Sequence, residues 1–109
     1  MTATGHKLYA FLTLLTGNRA GTNFPLDASR KTLIGRGTDC HITVPDPISS
    51  RVHAALSREN DAWIVRDCDS RNGTVVNGKP TEEALLQDED IIEVGDSKIK
   101  FIAPEKVPT

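Results

Sequence analysis

The apolar residues of this chain come in short runs, and turn-forming residues stand between nearly all of them. Gly, Pro and pairs such as Asn60-Asp61, Asn72-Gly73, Asn77-Gly78 and Gly95-Asp96 interrupt the sequence at intervals that leave little room for long helices. Many brief strands joined by close turns argue for an all-β fold, a β-sandwich of two antiparallel sheets or a small barrel, and against a sheet built from alternating strands and helices.

The runs themselves supply the strands. In Leu8 to Leu15 apolar residues fall on both parities, which predicts a strand covered on both faces. Val52, Ala54 and Leu56 share one parity, which places Val52 on the inward face and His53 on the opposite one. The polar stretch Arg58-Glu59-Asn60-Asp61 then leads into Trp63-Ile64-Val65, and the two segments read as a hairpin. A second hairpin closes the domain: Ile91 to Val94, the Gly95-Asp96 turn, then Ile99 and Phe101 alternating with Lys98 and Lys100. Shorter strands are expected over Phe24 to Leu26, Lys31 to Ile34, His41 to Val44 and Thr74 to Val76. Only Thr81 to Leu86 suits a helical turn, and no internal repeat is visible.

At 109 residues the chain has room for one domain, and 38% hydrophobic with 26% charged residues is an ordinary globular balance. Thirteen Lys and Arg against fifteen Asp and Glu give a net charge of −2. That balance lacks the positive field on which nonspecific nucleic-acid binding depends. No apolar run approaches the roughly 18 to 20 residues needed to span a bilayer, and Met1 to Lys7 has no signal-peptide pattern. The expectation is a cytoplasmic protein with neither nucleic acid nor membrane as partner. Cys40 and Cys68, without an export signal, are expected as free thiols, buried or half-buried. Together with His6, His41 and His53 they show no metal-ligand spacing, so neither a metal nor another cofactor is expected.

The chemically informative residues fall between the strands. Gly35-Arg36-Gly37 follows the apolar pair Leu33-Ile34. Ser49-Ser50-Arg51-Val52-His53 opens the next strand but one. Asp67-Cys68-Asp69-Ser70-Arg71-Asn72-Gly73-Thr74 is followed by Val75-Val76-Asn77-Gly78. Each cluster alone reads as a turn. In this order and at this spacing they closely resemble the signature of the forkhead-associated (FHA) domain, and the resemblance extends from about Leu8 to Ile102.

The resemblance implies a sandwich whose loops at one end recognise phosphothreonine in a partner protein, a phosphopeptide-recognition module for signal transduction rather than an enzyme. Arg36 corresponds to the principal phosphate ligand and Ser50 to a second donor, with Arg51 and Arg71 reaching the phosphate or the peptide nearby. Asn72 corresponds to the residue that bonds the peptide backbone. Ile48 and Ser49 correspond to the loop that reads the third residue after the phosphothreonine. Gly35, His53, Gly73 and Thr74 correspond to residues that support the site, and Asn77-Gly78 to a supporting turn. The chemistry agrees: a phosphothreonine brings about −1.5 to −2 charge and three acceptor oxygens, and the planar arginine fork meets phosphate in a two-point manner that lysine cannot copy.

Two positions depart from the pattern. Arg71 stands where similar domains often have Ser or Thr, and Glu89-Asp90 stands where they usually have Gly-Asp, which puts the shape of that turn in question. The expected organisation is a flexible segment over residues 1–7, the domain over 8–102, and a linker-like tail over 103–109, as in a module of a longer protein. The module is expected to be monomeric, with phosphorylation of Thr2, Thr4 or Thr109 as a route to self-association. Two other functions compete. One is a phosphorylation-independent interaction or dimerisation module. The other is a hydrolase using Ser50 and His53 with Asp46, Asp67 or Asp69, which the spacing of Ser50 and His53 disfavours.

Overall fold

The computed structural model describes residues 10–44, 47 and 49–103. The described residues form eleven strands in two sheets. One sheet has six strands, in the order β2 (Asn23–Pro25), β1 (Phe11–Leu14), β11 (Ser97–Ile102), β10 (Ile91–Val94), β7 (Thr74–Val76) and β8 (Lys79–Thr81). The other has five, in the order β4 (Ile42–Thr43), β3 (Thr32–Gly35), β5 (Ala54–Glu59), β6 (Ala62–Asp67) and β9 (Glu83–Leu86). The registered pairings are antiparallel except β3 with β4, which run parallel.

The sheets face one another across a single apolar core. Leu12, Ile92, Val94, Ile99 and Phe101 from the first sheet and Ile34, Ala54, Leu56 and Val65 from the second are fully buried. Trp63 of β6 meets Phe101 of β11 edge to face across the interior, with ring centroids 6.4 Å apart.

Both expected hairpins are present. Glu59 pairs with Ala62 around Asn60-Asp61, whose φ angles of 52° and 67° give the turn the left-handed pair that matches strand twist. Val94 pairs with Ser97 around Gly95-Asp96. The Asn77-Gly78 turn joins β7 to β8, again with two positive φ angles, 51° and 85°.

Three expectations are corrected. β1 is buried on one face only: Leu12 and Leu14 point into the core while Phe11 and Thr13 are partly exposed. Residues 81–86 form no helical turn, because Glu83–Leu86 pairs with β6 as an edge strand. Val52 does not face inward. β5 begins only at Ala54, so strand alternation does not govern the two residues before it; Val52 is exposed and His53 is fully buried. Residues 1–7 and the tail beyond Ala103 lie outside the described residues, as does Ile48.

Candidate functional site

Three loops meet at one end of the five-stranded sheet, where Ile34, Ala54 and Asp67 stand side by side: the one after β3, the one before β5, and the one from β6 to β7, where the chain crosses between sheets. Gly35 allows the first two to touch. A Cβ at Gly35 would lie 2.2 Å from the Arg51 carbonyl oxygen and 2.9 Å from the His53 nitrogen, so a side chain there would push the loops apart. The absence of one lets the Arg36 N–H donate to the Ser50 carbonyl at 2.9 Å and the Gly37 N–H donate to the Arg51 carbonyl at 2.9 Å. The Cys40 thiol also donates to the Arg51 carbonyl, at 3.1 Å.

Arg36 itself is exposed, but its guanidinium is anchored: Nε donates to the Ser49 carbonyl at 3.2 Å, which leaves the terminal nitrogens for a ligand. Ser49 is 2% exposed and contributes this carbonyl rather than a displayed side chain. Ser50 is joined to the third loop by the Arg71 N–H, which donates to Ser50 Oγ at 2.9 Å. Because the oxygen is accepting, the hydroxyl proton is free to be donated onward.

His53 ties the second loop to the third. Its Nδ1 accepts the Ser50 N–H at 3.0 Å, which fixes the proton on Nε2, and Nε2 donates to the Gly73 carbonyl at 2.7 Å. The third loop has its own clasp in Asp67. Ser70 Oγ and Thr74 Oγ1 donate to Asp67 Oδ1, the Ser70 N–H donates to Oδ2 at 3.1 Å, and Ser70 Oγ accepts the Gly73 N–H at 2.8 Å. Burial pushes the Asp67 carboxyl upward, but these donors more than compensate and leave its pKa below the usual value. Gly73, at φ 84°, takes the left-handed step that lets the loop enter β7, and exposed Arg71 and Asn72 sit at its outer turn.

The residues singled out in the sequence are therefore gathered as follows. Arg36, Ser50 and the Arg71 backbone are linked directly; Gly35, His53, Gly73 and Thr74 form the scaffold beneath them; Arg51 adjoins Ser50, and Asn72 adjoins Arg71. Asn77-Gly78 lies outside this cluster. Its side chain braces the fold by donating to Asp90 Oδ1 and accepting the Ile91 N–H, both at 2.9 Å. Sequence reasoning missed Asp67 and Ser70 as the loop's internal clasp. Their spacing ahead of Asn72-Gly73, an Asp followed by Ser three residues later, is the pattern of a side chain capping its own turn, and it was available to be read.

The hydrolase arrangement is not formed. Ser50 and His53 do meet, but through the Ser50 N–H rather than its hydroxyl, and the other ring nitrogen is occupied by Gly73. Cys40 and Cys68 are both free, and burial is the largest influence raising each thiol pKa. Among the described residues no group of three His, Cys, Asp or Glu is placed to hold a metal, and His41 Nδ1 is taken by the Leu33 N–H. No helix among them is long and apolar enough to cross a membrane.

A two-sheet sandwich whose end loops collect an anchored arginine, a hydroxyl donor and an exposed asparagine defines a loop-mounted binding module for an anionic partner. The chain belongs to the FHA domain family, whose model matches residues 32–95. FHA domains are binding and regulatory modules. The oxoglutarate dehydrogenase inhibitor of Corynebacterium jeikeium is 36% identical over 97 residues, covering 89% of this chain and 67% of that protein. The glycogen accumulation regulator GarA of Mycobacterium tuberculosis is also 36% identical over 97 residues, covering 89% of this chain and 59% of GarA. The chain thus spans about three fifths to two thirds of these relatives. Among solved structures, one from a study of phosphothreonine-dependent FHA domain interactions superposes with a TM-score of 0.79 at 33% identity, covering 86% of this chain and 95% of that one. The FhaA FHA domain, solved in complex with the intracellular domain of Rv3910, gives 0.77 at 34% identity, covering 84% and 98%.

Proposed function

We propose that this domain binds phosphothreonine segments of a partner protein, with Arg36 and Ser50 as the phosphate ligands, Asn72 holding the peptide backbone, and Arg51 and Arg71 flanking them. The observation that carries this reading is the link between the three loops: Arg36 bonded to the Ser49 and Ser50 carbonyls, and Ser50 Oγ accepting the Arg71 N–H so that its own proton is left to donate. A charged fork and an adjacent hydroxyl, pre-oriented by backbone bonds, suit a phosphate group and lose little conformational freedom when it binds.

The module acts by recognition and not by catalysis: among the described residues neither Ser50 nor His53 has a partner suited to nucleophilic chemistry, and the His53 ring is taken by the Ser50 N–H and the Gly73 carbonyl. Its field of action is the cytoplasm, where kinases write the mark, and it serves as the regulatory part of a longer chain with the domain bounded near residues 8–102. Ile48 remains the candidate for reading residues beyond the phosphothreonine.

Calorimetry with a phosphothreonine peptide library tests the proposal. Affinity should vanish on dephosphorylation and on Arg36→Ala, since hydrogen bonds to a charged group contribute about 1.5 to 3 kcal/mol each and the fork makes two. Equal binding of phosphorylated and unphosphorylated peptide would overturn it in favour of phosphorylation-independent association.

A further inference from the structure

The two sheets end in four edge strands, and three of these are blunted. β2 carries Pro25, β8 carries Lys79 and Pro80, and β4 is only two residues long. β9 holds neither proline nor lysine, and its four residues pair with β6 alone. Its ladder shows which backbone groups are left over. The Asp67 N–H donates to the Glu82 carbonyl at 2.9 Å, one step beyond the paired Arg66 and Glu83. Bonded and unbonded pairs alternate along an antiparallel ladder, so Ala84 and Leu86 turn their backbone groups toward β6, while the N–H and C=O of Glu83 and Leu85 point away from the sheet. Among the described residues nothing bonds to them. Leu85, between them, is 66% exposed, the most of any large apolar side chain described. It stands opposite Ile64, itself opposite Ser57, so a row of side chains across the outer face stops at Leu85.

Charge says what can complete the row. Exposed Glu82 and Glu83 open the strand, exposed Asp88 and Glu89 follow it, and no Lys or Arg occurs between Lys79 and Lys98. Arg66 matches Glu83 at 2.9 Å, whereas Glu82, Asp88 and Glu89 enter no ion pair among the described residues. Two copies of β9 paired edge to edge would bring these acids together, which opposes self-association. A cationic strand meets no such repulsion.

We infer that β9 is a docking edge for an extended basic segment of a partner protein, which adds a strand antiparallel to β9, sets an apolar side chain against Leu85 and aligns Lys or Arg with the acids at both ends. The contact is separate from Arg36 and Ser50 and needs no phosphate. β9 starts beside Asp67, at the end of the sandwich that carries the three loops, so one partner chain can reach both places and gain from the double attachment.

The test uses the peptide Lys-Thr-Lys-Thr-Ile-Thr-Lys-Thr-Lys, the same peptide N-methylated at the central isoleucine, and a version with glutamate for every lysine. Backbone amides are followed by NMR in the wild-type protein and in Leu85→Lys and Leu85→Pro, whose folding is checked by circular dichroism. Proline at this position removes an outward donor and takes no bond from β6. In the free protein the Glu83 and Leu85 amides should exchange with solvent far faster than those of Ala84 and Leu86, and the lysine peptide should shift and protect them. N-methylation, the glutamate exchange and either Leu85 variant should each weaken binding about tenfold, and salt should weaken it further. The inference is overturned if millimolar lysine peptide leaves these amides unmoved, if the N-methylated or glutamate peptide binds as well, or if both Leu85 variants bind fully. Slow exchange of Glu83 and Leu85 in the free protein would also overturn it, because the edge would already be covered by this chain or by a second copy. None of these outcomes involves phosphate, so the reading of Arg36 and Ser50 stands or falls separately.

Discussion

His53 shows what a single residue does here and why its role was only half legible. The parity of Val52, Ala54 and Leu56 suggested a strand running through all of them and sent His53 to the wrong face. The residue is buried because both ring nitrogens find backbone partners, Ser50 N–H and the Gly73 carbonyl, which removes the cost of taking an imidazole out of water. Those partners lie 3 and 20 residues away in sequence, and periodicity carries no information about such distant bonds. Asp67 is the comparable residue of the third loop and yields a prediction. Its carboxyl is pushed up by burial and pulled down further by the Ser70 and Thr74 donors, so its folded pKa lies below the unfolded value near 3.9. A lowered folded pKa gives stability that is fully present above the unfolded value and is lost as pH falls through the folded one. Asp67→Asn turns one acceptor oxygen into a donor and should cost about 1 to 3 kcal/mol near neutrality. In urea melts the gap between wild type and variant should narrow below about pH 4, where the Asp67 carboxyl of the unfolded chain begins to take up its proton while the folded one stays ionised. Both proteins should keep the acid sensitivity that comes from Glu59, whose pKa is held at about 2 by hydrogen bonds from Arg66 and Ser57. A gap that stays constant with pH would show that Asp67 is not held ionised by its loop.

Among the elements, the turns were the most legible and the edge strands the least. Asn60-Asp61, Asn77-Gly78 and Gly95-Asp96 act through their own backbone preferences, so local sequence sufficed. β8 and β9 bond a neighbour strand on one side only, and their residues show it: Pro80 sits in β8, and Glu83 and the largely exposed Leu85 sit in β9. Nothing in such segments alternates cleanly, and only the partner strand defines them. The turn before β10 carries Glu89-Asp90 where similar domains usually have Gly-Asp. Glu89 takes φ 74°, the left-handed backbone that glycine adopts freely, and its N–H donates to the Phe101 carbonyl. Asp90 accepts from Asn77 and from the Gln87 N–H, so the turn is pinned from both sides and the strain is retained. Left-handed backbone costs a non-glycine residue roughly 1 to 2 kcal/mol, of which the greater unfolded-state freedom of glycine returns about 0.4 to 1. Glu89→Gly should therefore stabilise the domain by up to about 1 kcal/mol and raise Tm by a few degrees in calorimetry. A lower Tm would mean that the glutamate side chain contributes more than its backbone costs.

At the scale of the molecule, the sandwich makes one site out of residues that are far apart in sequence. Arg36 leaves the end of β3, Ser50 precedes β5, and Arg71 lies where the chain crosses from the five-stranded to the six-stranded sheet, so the rim is rigid only while both sheets are packed. The order of the motifs in the sequence pointed, by resemblance, to residues that the fold gathers at one rim. The bonds that join them, Arg36 to Ser49 and Arg71 to Ser50, depend on sheet packing and could not be read from it. Binding and folding are consequently linked, since a ligand that needs all three loops binds the folded chain alone. At a phosphopeptide concentration of one hundred times Kd, that linkage adds about 2.7 kcal/mol to unfolding. For a domain of this size it should raise Tm by roughly 10 °C. Arg36→Ala should melt only slightly lower than wild type without ligand, because it forfeits one hydrogen bond to the Ser49 carbonyl, about 1 kcal/mol. With the same peptide concentration its Tm should not move. A variant that is still stabilised by the peptide would show that the ligand is held elsewhere on the sandwich, whereas one that unfolds without ligand would show that Arg36 holds the loops together as well as the phosphate.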